Sequence, residues 1–210
     1  RHAEASGQGL DAELTERGKE QAKKAAQDLV RKIIEGGGGI IKLLSSPTRR
    51  AKQTAEIMQL AMQEVLSEKQ TENIRLLFPR DRAALKAAGV VGPLQEQGIG
   101  DPIEYWLQNP DILEGKEPTK VAERLEQIIH VLQKTADRLP SGEKIYYIGI
   151  THEVPQAALI HHISGKTLNE LGGTIQNCES MQVALKGKSD DGPTIVFRDL
   201  TMKVENSVKD

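Results

Sequence analysis

The chain has 210 residues, with 28 basic and 30 acidic side chains and a formal net charge of −2. That length suits one domain with a real core, and the balanced charge excludes a dominantly basic nucleic-acid binder or a partner of acidic membranes, so no nucleic acid and no membrane is expected as partner. The single cysteine, Cys178, excludes an internal disulfide and a cysteine-based zinc cage.

Aromatic residues make up only 3% of the chain, so the core must be built from Leu, Ile, Val and Ala. Thr15 to Glu35 reads as a helix, capped by Thr15, with Ala22, Ala25, Ala26, Leu29 and Ile33 at helical spacing. Gly36 to Gly39 stops it and reads as punctuation, because it lacks the lysine and the preceding strand of a nucleotide loop. The run Ile40-Ile41-Lys42-Leu43-Leu44 predicts a buried strand. Ser46-Pro47 predicts a helix start, with a capping hydroxyl and then proline, and that helix is expected to reach about Leu66.

Ile74 to Phe78 reads as a short strand. The stretch from Pro79 to Pro118 is broken by Gly89, Gly92, Gly98, Gly100, Pro93, Pro102 and Pro110, and predicts short helices and loops. Thr119 to Leu139 is an amphipathic helix carrying Val121, Leu125, Ile128, Ile129, Leu132 and Ala136 on one face. Pro140-Ser141-Gly142 is a turn, Lys144 to Ile150 a strand, and Val154 to Ile163 a helix. Later strands fit Ser180 to Leu185 and Thr194 to Arg198, and the polar tail after Leu200 is expected to fray. Strands alternating with helices predict an α/β layer fold. No apolar run is long enough to span a bilayer as a helix. The opening residues lack signal-peptide character. With the lone cysteine they make a reducing cytoplasm the expected location.

The chemistry is concentrated in Arg1-His2-Ala3-Glu4, in Ser46-Pro47-Thr48-Arg49-Arg50-Ala51-Lys52-Gln53-Thr54-Ala55, and in Gly149-Ile150-Thr151-His152-Glu153. A phosphoryl group carries its charge on oxygens, so a site for it needs fixed cations, and the planar fork of arginine grips two oxygens at once. The arginines of the first two segments suit that task. A neutral imidazole is a competent nucleophile near neutral pH, and a covalent intermediate splits one hard step into two.

Together with Leu14-Thr15-Glu16-Arg17-Gly18-Lys19-Glu20-Gln21-Ala22, these segments resemble the histidine phosphatase (phosphoglycerate mutase-like) superfamily. Its members carry Arg-His-Gly, then Leu-Thr-x-x-Gly-x-x-Gln-Ala, then Ser-Pro-x-x-Arg-Ala-x-Gln-Thr-Ala, then a second histidine after a late strand. Ala3 stands where the family usually has glycine, which adds a methyl group near the phosphate. The resemblance implies a single domain over 1–210 with a three-layer fold, a mostly parallel central sheet with helices on both faces. It also implies a strand upstream of Arg1, and a variable, substrate-facing segment over 66–118. It makes His2 the phosphate-accepting nucleophile, Arg1 and Arg50 phosphate ligands, and His152 an electrostatic donor to the transferring group. No metal and no cofactor is implied, because the cationic side chains do the work that magnesium does elsewhere.

Taken singly, each residue has a plainer reading: a frayed terminus for Arg1 and His2, a solvated helix arginine for Arg50, a hydrogen-bonded core histidine for His152. The ordered segments favour the catalytic readings. His130, His161 and His162 read as structural, Cys178 as a packing residue, and Trp106 as core.

The leaving alcohol needs a proton. The mutase-like branch places a glutamate after the strand that follows the arginine helix, and Ile74 to Phe78 offers no carboxylate there. The acid phosphatase branch places its donor directly after the second histidine, where this chain has Glu153. Glu153 is therefore the leading general acid, with helix capping as its alternative role and Asp81 and Glu96 as reserves.

The expected function is a phosphatase hydrolysing a phosphomonoester, with a small phosphorylated metabolite or a phosphoprotein as partner. A phosphoglycerate-type mutase and a non-catalytic phosphate-binding domain are the alternatives.

Overall fold

A computed structural model of the chain describes residues 1–7, 11–69, 71, 73–82, 85–86, 88–140, 143–185 and 193–204, the side chains of Phe78 and Asp81 excepted. The described chain falls into two compact units. Ser141 and Gly142, read as part of a turn, lie outside the described residues.

The first unit comprises 1–86, 139–152 and 176–178. Its first helix, α1 (Glu16–Glu35), buries Gly18, Ala22, Ala26, Val30 and Ile33, a stripe at helical spacing. Thr15 caps it by accepting the Gly18 N–H, as its sequence predicts. The helix ends at Gly36, and Gly37, at φ 94°, turns the chain into β1 (Gly39–Ser45). β1 is the central strand of a parallel sheet, flanked by β2 (Ile74–Asp81) and β3 (Ile145–Ile150) in the order β2-β1-β3. β2 runs on to Asp81, past the expected end at Phe78.

The second helix, α2 (Arg49–Glu68), buries Ala51, Ala55, Met58, Ala61, Met62 and Val65. These residues join Ala22, Ala26, Val30 and Ile33 of α1, Ile41 and Leu43 of β1 and Ile150 of β3 in one apolar cluster. Alanines on both helices allow close packing without aromatic filler.

The start of α2 differs from the expectation at Ser46. The backbone N–H of Ser46 donates to Ile150 O at 2.8 Å, prolonging the ladder between β1 and β3. A residue before proline also disfavours helical backbone. Both effects keep Ser46 extended, so the helix begins at Arg49 and Thr48 takes the N-cap position.

The second unit comprises 87–138, 153–175 and 179–210, as far as these are described. It holds α3 (Val91–Glu96), α4 (Pro102–Gln108), α5 (Pro118–Ala136) and α6 (Glu153–Ser164). It also holds an antiparallel sheet of β4 (Gln182–Ala184), β5 (Thr194–Phe197) and β6 (Leu200–Lys203), in that order. α5 packs Val121, Ala122, Leu125 and Ile129 inward, and α6 is buried almost continuously from Val154 to Ile160. Trp106 is a core residue, wholly buried, with its indole N–H donated to Lys116 O at 2.8 Å.

β6 was not expected from the polar tail. Its alternation is short: Met202 is buried between exposed Thr201 and Lys203, and Val204 is buried beyond them. Arg198 makes the turn into it at φ 51°, in the left-handed region. Its guanidinium grips both oxygens of Glu179 at 2.7 and 3.0 Å and donates to Gly173 O and Thr174 O. With a further bond to Leu171 O, five such bonds offset the backbone strain of a non-glycine residue there. Among the described residues, no helix is long and apolar enough to cross a membrane.

Candidate active site

The site lies in the first unit, at the carboxyl ends of β1 and β3, where side-chain loops of parallel sheets build ligand clefts. The segment around His2 is pinned there by its backbone. His2 N–H donates to Thr151 O at 2.9 Å, and His2 O accepts from Cys178 N–H at 3.4 Å. Ala3 N–H donates to Thr54 Oγ1 at 3.2 Å, and Glu4 N–H to Gln21 Oε1 at 3.0 Å. Thr15 N–H donates to Glu4 O at 3.1 Å, and Thr15 Oγ1–H to Glu4 Oε1 at 2.9 Å.

The two helix-start motifs thus clamp the histidine segment. Leu-Thr-x-x-Gly-x-x-Gln-Ala supplies Thr15 and Gln21, and its glycine makes room: a Cβ on Gly18 would lie 2.0 Å from Glu4 O. Ser-Pro-x-x-Arg-Ala-x-Gln-Thr-Ala supplies Thr54, which also donates to Arg50 O at 2.7 Å, and Gln53, which accepts from Leu14 N–H at 2.9 Å. The methyl group of Ala3 is wholly buried and belongs to the apolar cluster.

Arg50 is the hub. Its Nε–H donates to His2 Nε2 at 2.9 Å, and its Nη2 lies 3.4 Å from His152 Nδ1. A guanidinium can only donate, so both histidine nitrogens facing it carry lone pairs. The other nitrogens agree. His2 Nδ1–H points at Ala3 O, 2.6 Å away, and a carbonyl can only accept. His152 Nε2–H is left to the hydroxyls of Ser46 at 2.9 Å and Thr48 at 3.3 Å. The two rings meet edge to face with centroids 5.0 Å apart.

His2, Arg50 and His152 are all buried, and Arg1 is half-buried. Burial and the charges of Arg50 and Arg1 pull His2 down to about 4, although the bond to Ala3 O works the other way. Burial, then His2 and Arg50, pull His152 down to about 3. Burial and then Arg1 also lower Arg50 from its ordinary value. The cluster therefore holds two neutral imidazoles beside guanidinium groups. That environment suits an anion, and the His2 Nε2 lone pair lies against the Arg50 guanidinium.

Of the sequence-predicted residues, Arg1, His2, Arg50 and His152 come together here. Glu153 opens α6 in the second unit, and its Oε1 accepts the Ile175 N–H at 3.0 Å. Glu96 ends α3, exposed, in the same unit. The side chain of Asp81 lies outside the described residues. Sequence reasoning missed Ser46 and Thr48 as partners of His152, and missed Thr54, Gln21 and Thr15 as clamps. Each was legible only as a member of a motif. Among the described residues, no group of three or more His, Cys, Asp or Glu side chains is gathered as for a metal ion.

A histidine lone pair set among guanidinium groups, at the carboxyl end of a parallel α/β sheet, is an arrangement suited to an oxyanion such as a phosphoryl group. The chain belongs to the histidine phosphatase superfamily (branch 1), whose family model matches residues 1–196. No curated protein is significantly similar in sequence.

Among solved structures, the chain is similar to one described as mycobacterial hydrolase 2, at 18% identity and a TM-score of 0.64, covering 99% of this chain and 91% of that one. It also matches a putative phosphohistidine phosphatase SixA from Agrobacterium tumefaciens at 12% identity and a TM-score of 0.44, covering 98% and 92%. A third match is the alpha-ribazole phosphatase from Shigella flexneri, at 16% identity and a TM-score of 0.46, covering 97% and 92%. The first of these places the chain in the phosphoglycerate mutase-like fold, a mostly parallel sheet flanked by helices.

Proposed function

We propose that the chain is a metal-independent phosphatase that hydrolyses a phosphomonoester, a small metabolite or a phosphoprotein, through a phosphohistidine on His2. The observation that carries this reading is the buried contact in which Arg50 Nε–H donates to His2 Nε2 at 2.9 Å. It leaves Nε2 as the unprotonated nitrogen, against a guanidinium of the kind suited to gripping phosphate.

An entering phosphoryl group takes over the donors of Arg50, with Arg1 beside it, and so uncovers the lone pair. His2 Nε2 then attacks phosphorus, and the bond to the ester oxygen breaks. Glu153 gives that oxygen its proton, with Asp81 and Glu96 as the alternative donors. Water next attacks phosphorus and the P–N bond breaks. The carboxylate recovers a proton from the water, inorganic phosphate leaves, and His2 is again neutral. His152 and the arginines hold the equatorial oxygens throughout.

The test is a panel of phosphorylated metabolites and phosphopeptides, assayed for phosphate release with a chelator present. Acid quenching should trap an acid-labile phosphoenzyme that His2→Ala abolishes. Unchanged turnover in that variant removes His2 from the mechanism. Interconversion of phosphoglycerates without phosphate release identifies a mutase instead.

A further inference from the structure

Thr48 sits where a hydroxyl ordinarily caps a helix, and Ser46 lies two residues before it. Thr48 holds the N-cap position of α2 yet makes no side-chain capping bond. Capping by such a residue typically contributes about 1 kcal/mol. Both hydroxyls turn instead to one ring nitrogen: His152 Nε2 lies 2.9 Å from Ser46 Oγ and 3.3 Å from Thr48 Oγ1. Ser46 Oγ is also within 3.5 Å of Thr48 Oγ1 and of the Thr48 N–H. Ser46 is wholly buried and Thr48 nearly so.

We propose that Ser46 and Thr48 are positioning residues that hold His152 by its Nε2–H, so that Nδ1 faces the phosphate pocket and takes up a proton when a tetrahedral oxyanion enters. The inference rests on the phosphate-site reading above. In the structure Nδ1 accepts from Arg50 Nη2, 3.4 Å away. An oxyanion draws that guanidinium to itself and presents oxygens that only accept. With Nε2–H still engaged by the hydroxyls, Nδ1 can answer only by gaining a proton, which solvent buffer supplies. The ring becomes an imidazolium with both N–H groups satisfied.

The charged and titratable groups facing His152 are Arg50 from α2, and Arg1 and His2 from the segment before α1. All of these oppose protonation of the ring. The oxyanion's negative charge reverses that balance. Without the hydroxyls, the ring can rotate or adopt the other tautomer, and the link between binding and protonation weakens.

The experiment uses sulfate, a dianion with no proton of its own to give near pH 7. Calorimetry in buffers of different ionisation enthalpy measures protons taken up per sulfate bound. The wild-type chain should take up close to one, and His152→Gln should take up none. Ser46→Ala should lower the uptake and weaken sulfate binding by roughly 10- to 100-fold, as expected when a hydrogen bond to a charged group is lost. Thr48→Val keeps the shape and removes one hydroxyl, and should give a smaller loss in the same direction. Thr48→Ser should restore wild-type behaviour.

If Ser46→Ala and Thr48→Val both bind sulfate with wild-type affinity and proton uptake, the positioning role is refuted. If the wild-type chain itself binds no sulfate, the phosphate-site reading fails first, and the two failures are thereby distinguished.

Discussion

Two buried neutral histidines make a quantitative prediction about acid stability. The pKa of His2 falls from 6.5 to about 4 in the folded chain, and that of His152 from 6.5 to about 3. Burial is the first cause in both. Between pH 6.5 and these values the unfolded chain binds protons that the folded chain refuses. Stability is therefore complete above the unfolded pKa and is lost as pH falls, the reverse of a histidine that gains a partner carboxylate. At pH 5 each histidine removes about 2 kcal/mol relative to pH 8, and the pair about 4 kcal/mol. That is a large share of the roughly 5–15 kcal/mol that holds a domain together.

The assay is urea denaturation at pH 8 and pH 5, on the wild-type chain and on a variant with both His2→Gln and His152→Gln. Carboxylates elsewhere titrate in both proteins and cancel in the comparison. With a urea slope of about 2 kcal/mol per molar, the wild-type midpoint should fall by about 2 M more than the variant's. A difference below about 0.5 M would refute the reasoning, because the rings would then be as protonatable folded as unfolded. The same shifts fix the acid limb of activity. On the proposed mechanism His2 stays unprotonated down to about 4, so a loss of phosphorylation rate near pH 6 would belong to another group.

Other outcomes follow from single contacts. Arg50→Lys removes both the Nε donor to His2 and the planar fork, and kcat/KM should fall roughly 100-fold, measured on whichever substrate the panel identifies; a change within about threefold would show that a point charge suffices. Gly18→Ala drives a Cβ to 2.0 Å from Glu4 O, so α1 or the His2 segment must shift, at a cost of about 1–3 kcal/mol in urea unfolding and with loss of turnover; normal turnover would show that His2 tolerates movement of Glu4. Glu153→Gln should slow alkyl phosphates roughly 100- to 10,000-fold in the phosphorylation step while sparing aryl phosphates. Equal slowing of both classes would mean that the charge of the carboxylate shapes the pocket or caps its helix and does not protonate the leaving oxygen, leaving Asp81 or Glu96 as the acid.

Much of the fold was legible because its signals are local. α1 shows its cap, its apolar stripe and its glycine stop within one continuous stretch, and the structure has all three. β1 and β3 are short apolar runs between helices, which parallel strands require. The extension of β2 through Pro79 to Asp81 was not legible, since proline ordinarily argues against a strand interior. Here it lies on the outer strand of the β2-β1-β3 sheet, where a missing N–H is tolerated. β6 escaped because its buried positions, Met202 and Val204, are few and lie among charged residues. What holds it is pairing with β5, a partner that no local pattern announces.

The site divides along the same line, between residues that ordered motifs single out and residues whose role depends on a distant partner. Within their motifs, Arg1, His2, Arg50 and His152 carry charge or a nucleophilic nitrogen and suggest work to be done. Ser46 does not. A serine before proline at a helix entrance has an adequate local explanation as a cap, and that explanation is wrong because of a residue 106 positions away. The ladder bond from Ser46 N–H to Ile150 O holds the serine extended, and the same strand delivers His152 two residues later. Once β1 and β3 are paired in register, the hydroxyl and the imidazole can hardly avoid each other. The Ser-Pro pair is thus set by sheet geometry as much as by helix initiation, and its proline serves to deny Ser46 the helical conformation that would turn its side chain back onto α2.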